Sequence, residues 1–247
     1  MEIRNKVALI TGGTHGIGAE TAVRLAKEGA IISIVARNVV NTPVVQQLKE
    51  IGATYCIIAA NLNSETECKR VVEETLRQFN SIDILIHCAG NAAPGGLLSG
   101  AKDNWYPAFD IHIHAVFHLC AAAVPFMQKK GEGAILLISS AAGLRGVKNA
   151  LAYAVVKGAI PQFTRALALE LSDSNIRVNC VSPGIIRTRF QDYLTEEQIK
   201  NNIENRIPVH REGIPEDVAE VIRMLVKNEF ITGENVVIDG GMTMRIV

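Results

Sequence analysis

The 247-residue sequence has no excess of either charge: 25 Lys and Arg stand against 25 Asp and Glu. A nucleic-acid or anionic-membrane partner requires clustered cations, so neither is expected. Long apolar runs are also missing. The richest, Ala134 to Ile138, is strand-sized, and no run reads as a membrane span. Cysteines are few and odd in number. Cys56, Cys68, Cys88, Cys120 and Cys180 show neither a disulfide framework nor zinc-ligand spacing. Met1-Glu2-Ile3-Arg4-Asn5-Lys6 leads straight into Val7-Ala8-Leu9-Ile10, without the layout of a secretory signal. The expectation is a soluble, cytoplasmic protein. Repeats, low-complexity tracts and Pro/Ser-rich linkers are absent too, while 48% hydrophobic residues over this length can bury a sizeable core.

What is present is alternation. Val- and Ile-rich runs at Lys6–Ile10, Ile31–Ala36, Thr54–Ala60, Ile82–His87, Gly133–Ile138, Ile176–Val181 and Val236–Asp239 read as strands. Between them lie helix-spaced segments: Ile17–Glu28, Val44–Glu50, a helix opened by the capping box Ser64-Glu65-Thr66-Glu67 and running to Phe79, Ile111–Lys130, Ala150–Leu171 and Pro215–Val226. Near-continuous apolar strands alternating with helices predict an α/β fold: one Rossmann-type, doubly wound parallel sheet with helices on both faces. Residues 1–247 are expected to form a single dinucleotide-binding catalytic domain. The polar stretch at 187–213 is too short for a second domain and reads as a substrate lid. In such sheets ligands bind beyond the carboxyl ends of the strands.

The first such end carries Thr11-Gly12-Gly13-Thr14-His15-Gly16-Ile17-Gly18. Gly12 allows a tight turn, Gly16 a close backbone approach to a pyrophosphate, and Gly18 close helix–strand packing. The helix that follows offers free N–H groups and a partial positive charge. Gly12, Thr14, His15, Gly16, Ile17 and Gly18 are therefore candidate cofactor contacts. The second strand ends in Arg37-Asn38 rather than in the acidic residue that grips a ribose 2′-OH. A missing carboxylate and an added guanidinium favour NADP(H) over NAD(H).

The strand at Ala134–Ile138 ends in Ser139-Ser140, and Tyr153-Ala154-Val155-Val156-Lys157 follows. Tyr153 and Lys157, at i and i+4, share a helix face. An ammonium beside a phenol favours the phenolate, and such a phenol can exchange a proton with an alcohol or carbonyl oxygen that Ser140 hydrogen-bonds.

Together these motifs, with Ala89-Gly90, Pro183-Gly184 and Asp239-Gly240-Gly241, resemble the short-chain dehydrogenase/reductase family in its short single-domain form, and within it the 3-oxoacyl-acyl-carrier-protein reductase-like members. The resemblance spans Val7 to Gly241. It implies that Tyr153 is the general acid in reduction, that Lys157 holds the nicotinamide ribose, and that Ser140 polarises the substrate oxygen. It further implies cofactor contacts at Asn61, Leu62, Cys88, Ala89, Gly90, Pro183, Gly184, Ile186 and Thr188. The leading functional expectation is an NADPH-dependent reductase of a ketone to a secondary alcohol. An NAD-dependent alcohol or polyol dehydrogenase and a non-catalytic nucleotide-binding sensor are the alternatives.

Three departures from the family pattern stand out. His87-Cys88 replaces the usual Asn-Asn before Ala89-Gly90, which predicts a lost strand-to-strand polar link. His112 takes the place of an Asn that helps hold a relay water. As a fourth catalytic candidate it predicts either a pH-sensitive relay or a histidine that satisfies a backbone carbonyl. Pro161 removes the N–H that would bond the Lys157 carbonyl and predicts a bent helix. His114 and His118 share a face without a third ligand, so no metal is expected. Leu144, Arg145, Asn91, Ala92 and Tyr193 are candidate pocket residues. Surplus apolar residues on the two long helices, among them Phe117, Ala121, Phe163 and Leu167, predict burial on several sides, and the resemblance implies that these helices pair into a homotetramer or homodimer.

Overall fold

A strand covered on both faces needs apolar or hydrogen-bonded side chains at successive positions. Residues 7–10, 84–86 and 134–138 are apolar throughout, while Ile176–Pro183 buries Arg177, Asn179 and Ser182 on hydrogen bonds. The computed structural model describes residues 1–40, 42–192 and 194–244. Its strands are β1 (Val7–Thr11), β2 (Ile31–Ala36), β3 (Tyr55–Ala59), β4 (Ile84–His87), β5 (Gly133–Ile138), β6 (Ile176–Pro183) and β7 (Asn235–Ile238). They form one seven-stranded sheet in the order β3-β2-β1-β4-β5-β6-β7, with every pair parallel. β1 and β6 are buried at every residue.

The helices are α1 (Gly16–Lys27), α2 (Pro43–Glu50), α3 (Glu65–Phe79), α4 (Ala101–Phe109), α5 (Ala115–Lys130), α6 (Leu151–Glu170), α7 (Glu196–Asn201) and α8 (Pro215–Lys227). They divide between the faces. Leu25 of α1, Leu48 of α2 and Ile222 of α8 share one apolar cluster, while Val71 of α3, Leu119 of α5 and Ile160 of α6 share the other. The chain winds outward from β1 to β3 and then returns to place β4 on the other side of β1, which opens a crevice at the carboxyl ends of those two strands.

Two local expectations change. Ser64 accepts from the Glu67 N–H, but the Glu67 carboxylate turns to Arg70 at 2.7 Å, a salt bridge on the helix surface. The helix read from Ile111 begins ten residues earlier, because α4 runs into α5 through a π-helical turn at Asp110–His114. Pro107 would end an isolated helix, yet Trp105 stacks on Phe109 at 5.1 Å and Ala108 is buried beside α6, so packing overrides propensity. The joined stretch Ala101–Lys130 is long and apolar enough, by length and composition, to cross a membrane; 33% of its most apolar window is buried within the chain. Counting only uninterrupted apolar runs missed it, because His and Pro residues break the run.

Candidate active site

The crevice is lined first by the β1–α1 turn. Gly12 has φ +65, and a Cβ there would lie 2.7 Å from the Ala89 nitrogen, so the β1 and β4 termini touch backbone to backbone. At Gly18 a Cβ would meet the Gly12 carbonyl oxygen at 2.5 Å. No side chain caps the α1 N-terminus and its first turn holds no acidic residue. His15 Nδ1 instead pairs with the Thr14 hydroxyl at 3.0 Å, and burial, then the Arg189 charge, hold its imidazole below the ordinary range. Bare N–H groups above a glycine cradle fit a dinucleotide pyrophosphate.

Arg37 and Asn38 stand exposed just beyond β2, with the Asn38 side-chain amide oxygen Oδ1 accepting from the Val40 N–H at 3.1 Å. Among the described residues Arg37 pairs with none. Asn61 is exposed beyond β3. Leu62 and Ile186 point inward, 4% and 6% exposed in the core, which leaves only their backbones to meet a cofactor. Pro183 ends β6, Gly184 lies so close to Asp239 that a Cβ would be 2.8 Å from its Cα, and the Thr188 methyl lies 3.2 Å from where Gly16 would carry a Cβ. The Cys88 thiol is pushed up to about 12 by burial, which makes it a space-filling group and not a nucleophile.

The link expected to be lost at His87-Cys88 is present in another form. Thr11 Oγ1 accepts from the Ala89 N–H at 3.2 Å and donates to His87 Nδ1 at 2.9 Å; His87 Nε2 donates to the Ile111 carbonyl at 3.0 Å. Burial pushes the His87 imidazole down to about 4, so it stays neutral in this tautomer. β1, β4 and the π turn are thereby tied together beneath the crevice.

Ser140, Tyr153 and Lys157 converge at the end of β5. Ser140 Oγ accepts from the Ala142 N–H at 3.1 Å, which leaves its hydroxyl hydrogen to donate outward. Lys157 is buried, donates to the Ile138 carbonyl at 2.8 Å, and lies 5.7 Å from the Tyr153 ring centroid. Desolvation pushes its ammonium down to about 8. α6 continues through Pro161, and the carbonyl of Lys157 that the proline leaves unbonded accepts from Ser139 Oγ at 2.8 Å. Gly143 packs against the same carbonyl so tightly that a Cβ would lie 2.6 Å from the Lys157 carbonyl carbon. Ser139, Thr11 and Gly143 are positioning residues that motif reading missed; the carbonyl orphaned by Pro161 was the one signal for the first.

His112 sits inside the π turn and is 2% exposed. Its Nε2 donates to the Asn91 carbonyl at 3.0 Å, and its ring occupies the space where Gly90 would carry a Cβ, 2.3 Å from Cε1. Nδ1 is buried without a partner, and the ring meets Tyr153 edge-on at 5.8 Å. Burial, then the Lys157 charge, hold the imidazole well below the ordinary range. The backbone-carbonyl expectation therefore holds, and the expected titration near neutrality does not.

Other candidates separate from this group. Arg145 donates from Nε and Nη2 to the Thr243 carbonyl at 3.1 and 2.7 Å and pins the C-terminal segment. Tyr193 lies outside the described residues. His114 pairs with Asp110 at 3.1 Å, and no group of three or more His, Cys, Asp or Glu among the described residues could hold a metal ion.

Known proteins match this arrangement along nearly the whole chain. The family described as enoyl-(acyl carrier protein) reductase matches residues 12–243. Dehydrogenase/reductase SDR family member 4 of Mus musculus is 33% identical over 99% of this chain and 89% of its own length. The 3-oxoacyl-[acyl-carrier-protein] reductase FabG of Thermotoga maritima is 32% identical over 99% and 100%. Among solved structures, a putative short-chain dehydrogenase/reductase from Burkholderia xenovorans superposes with a TM-score of 0.94 at 28% identity, covering 100% of this chain and 99% of that one. Levodione reductase superposes with 0.90 at 26%, covering 98% and 99%. With a glycine-cradled helix N-terminus and a Ser–Tyr–Lys cluster on one sheet edge, this chain belongs to the short-chain dehydrogenase/reductase family of nicotinamide-dependent oxidoreductases.

Proposed function

We propose that this protein is an NADPH-dependent reductase that converts a ketone to a secondary alcohol. The observation that carries the reading is the buried Lys157 ammonium, held on the Ile138 carbonyl 5.7 Å from the Tyr153 ring centroid, at the strand end that presents Ser140. When bound, the nicotinamide supplies the hydride. Tyr153 gives its phenolic proton to the carbonyl oxygen. Lys157 stabilises the resulting phenolate. Ser140 donates its hydroxyl hydrogen to the same oxygen and fixes the carbonyl for attack. His112 acts as a positioning residue: its bare Nδ1 offers a water an acceptor within Coulombic reach of Lys157, where the proton lost by Tyr153 is replaced.

The preference for NADPH rests on Arg37, exposed at the β2 end in a stretch, residues 35–40, that contains no carboxylate to repel a 2′-phosphate. The segment 187–213 is read as a strap over the substrate, since Thr188 touches the cofactor turn and Phe190 meets Tyr153. Exposed Phe117 and Phe126 on α5 and Val155 and Leu169 on α6 support a homotetramer or homodimer built on these helices. Five free cysteines suit a reducing, cytoplasmic compartment.

The test is steady-state reduction of ketones and 3-oxoacyl esters with NADPH and with NADH, with Tyr153→Phe as control. NADPH oxidation that depends on the ketone and disappears in Tyr153→Phe is expected. Activity with NADH alone moves the assignment to an NAD-linked alcohol dehydrogenase; tight coenzyme binding with no turnover of any carbonyl compound moves it to a nucleotide sensor.

A further inference from the structure

Phe190 belongs to a single 3-10 turn, Arg189–Gln191, closed by the Gln191 N–H on the Thr188 carbonyl at 2.8 Å. Two residues before it, the Thr188 methyl rests on Gly16 of the cofactor turn, so the backbone of this strap is held from the phosphate side. Its ring lies 6.0 Å from the Tyr153 ring at a 39° tilt, within the range of aromatic pairs, and is still 38% exposed. Around the same phenol the His112 ring stands edge-on, and Ala93, Ala108, Ala152 and Val156 with Trp105 and Phe109 form an apolar bed.

The loop after β4 also carries exposed apolar side chains. It is stitched to the start of α6 by Gly95 N–H on the Asn149 carbonyl at 2.8 Å and Leu151 N–H on the Gly95 carbonyl at 3.0 Å. It carries Leu97 and Leu98, 76% and 98% exposed. Arg145, a candidate pocket residue, is engaged by the Thr243 carbonyl. A polyol beside Tyr153 would press unpaired hydroxyls against Phe190, which is unfavourable; a flat apolar group would stack.

We propose that Phe190 is a specificity-determining wall of the substrate pocket, and that it selects carbonyl compounds bearing a flat apolar group next to the C=O. The assignment rests on the reading of Tyr153 as proton donor and adds the chemistry of what lies beside it.

Acetophenone, butanone and dihydroxyacetone are the probes, with Phe190→Ala and the conservative Phe190→Leu. In Phe190→Ala, kcat/KM for acetophenone falls about 10- to 100-fold, mainly through KM, while that for butanone falls less than about 3-fold; Phe190→Leu lies between, and wild type disfavours dihydroxyacetone. Unchanged coenzyme affinity shows that both variants are folded. Equal losses for acetophenone and butanone, or none, overturn the proposal. Acetophenone binding to the coenzyme-loaded Tyr153→Phe protein, measured by calorimetry with and without Phe190→Ala, separates it from the activity reading. If wild type reduces no ketone, the reductase reading fails, and the wall stands only on a binding loss of about 10-fold or more. A smaller binding difference, or no binding, overturns the wall itself.

Discussion

The hydroxyl of Ser139 donates to the carbonyl of Lys157 at 2.8 Å and replaces the helical hydrogen bond that Pro161 removes. The bond joins the β5 terminus to the turn of α6 that carries the ammonium, so the sheet edge and the helix face stay in register where Ser140 and Lys157 must meet. Ser139→Ala leaves a buried carbonyl without a donor. The expected cost is about 1–3 kcal/mol, read as a lower urea midpoint with an unchanged slope, together with a lower kcat. An unaltered midpoint would show that the carbonyl finds another partner.

His87 ties pH to stability. Its folded-state value of about 4 lies below the ordinary 6.5, so between those values the unfolded chain binds more protons and stability falls as pH falls. The contribution is fully present above pH 6.5, drops by about 2 kcal/mol at pH 5, and reaches a loss of about 3 kcal/mol below pH 4. His112 acts with the same sign. Urea unfolding at pH 7 and pH 5 measures the drop, and His87→Asn should make it shallower by about 2 kcal/mol while the His112 part remains; parallel pH dependence in the variant would exclude His87 as a source.

His112 stays neutral through the working range, and Lys157 titrates near 8. The pH profile of reductive kcat/KM should therefore lack a step near 6.5 and decline above about pH 8, as Lys157 loses the proton that supports the Tyr153 phenolate. His112→Asn should preserve that profile with a kcat loss under about 10-fold, whereas His112→Phe, with no acceptor, should lose about 10- to 100-fold in kcat. Equal behaviour of the two variants would remove His112 from the relay.

Arg37 is exposed beyond β2 and, among the described residues, unpaired. A charge-assisted bond to a 2′-phosphate is worth about 1.5–3 kcal/mol, or roughly 10- to 100-fold in affinity. Arg37→Ala should raise the Kd for NADPH by that factor and leave NADH nearly unchanged. Equilibrium fluorescence titration with both coenzymes reads the ratio; a constant ratio would assign the guanidinium to solvent.

Some of this was legible in one dimension because it depends on local chemistry. Continuous apolar strands identified a parallel sheet, glycines at 12, 16 and 18 identified a turn in which close contacts exclude a Cβ at Gly12 and Gly18 and a φ of +56 favours glycine at Gly16, and the i, i+4 spacing of Tyr153 and Lys157 placed them on one face. The helix start at Ala101 was hidden because Pro107 and the polar residues around it weaken local propensity, and only packing against α6 restores it. The relation of Thr11 to His87 spans two strands, and that of Phe190 to Tyr153 a strap and a helix, so no spacing rule reports either.

The amino-acid order alone thus determined the seven strands, most of the helices and which motif residues end up at the carboxyl edge of the sheet, since backbone geometry and apolar periodicity act over a few residues. The tertiary structure decided the protonation of His87, His112 and Lys157, the partner of the Lys157 carbonyl, and the aromatic surroundings of Tyr153. Those properties are set by desolvation and by contacts between segments distant in the chain, which exist only once the sheet has closed over its helices.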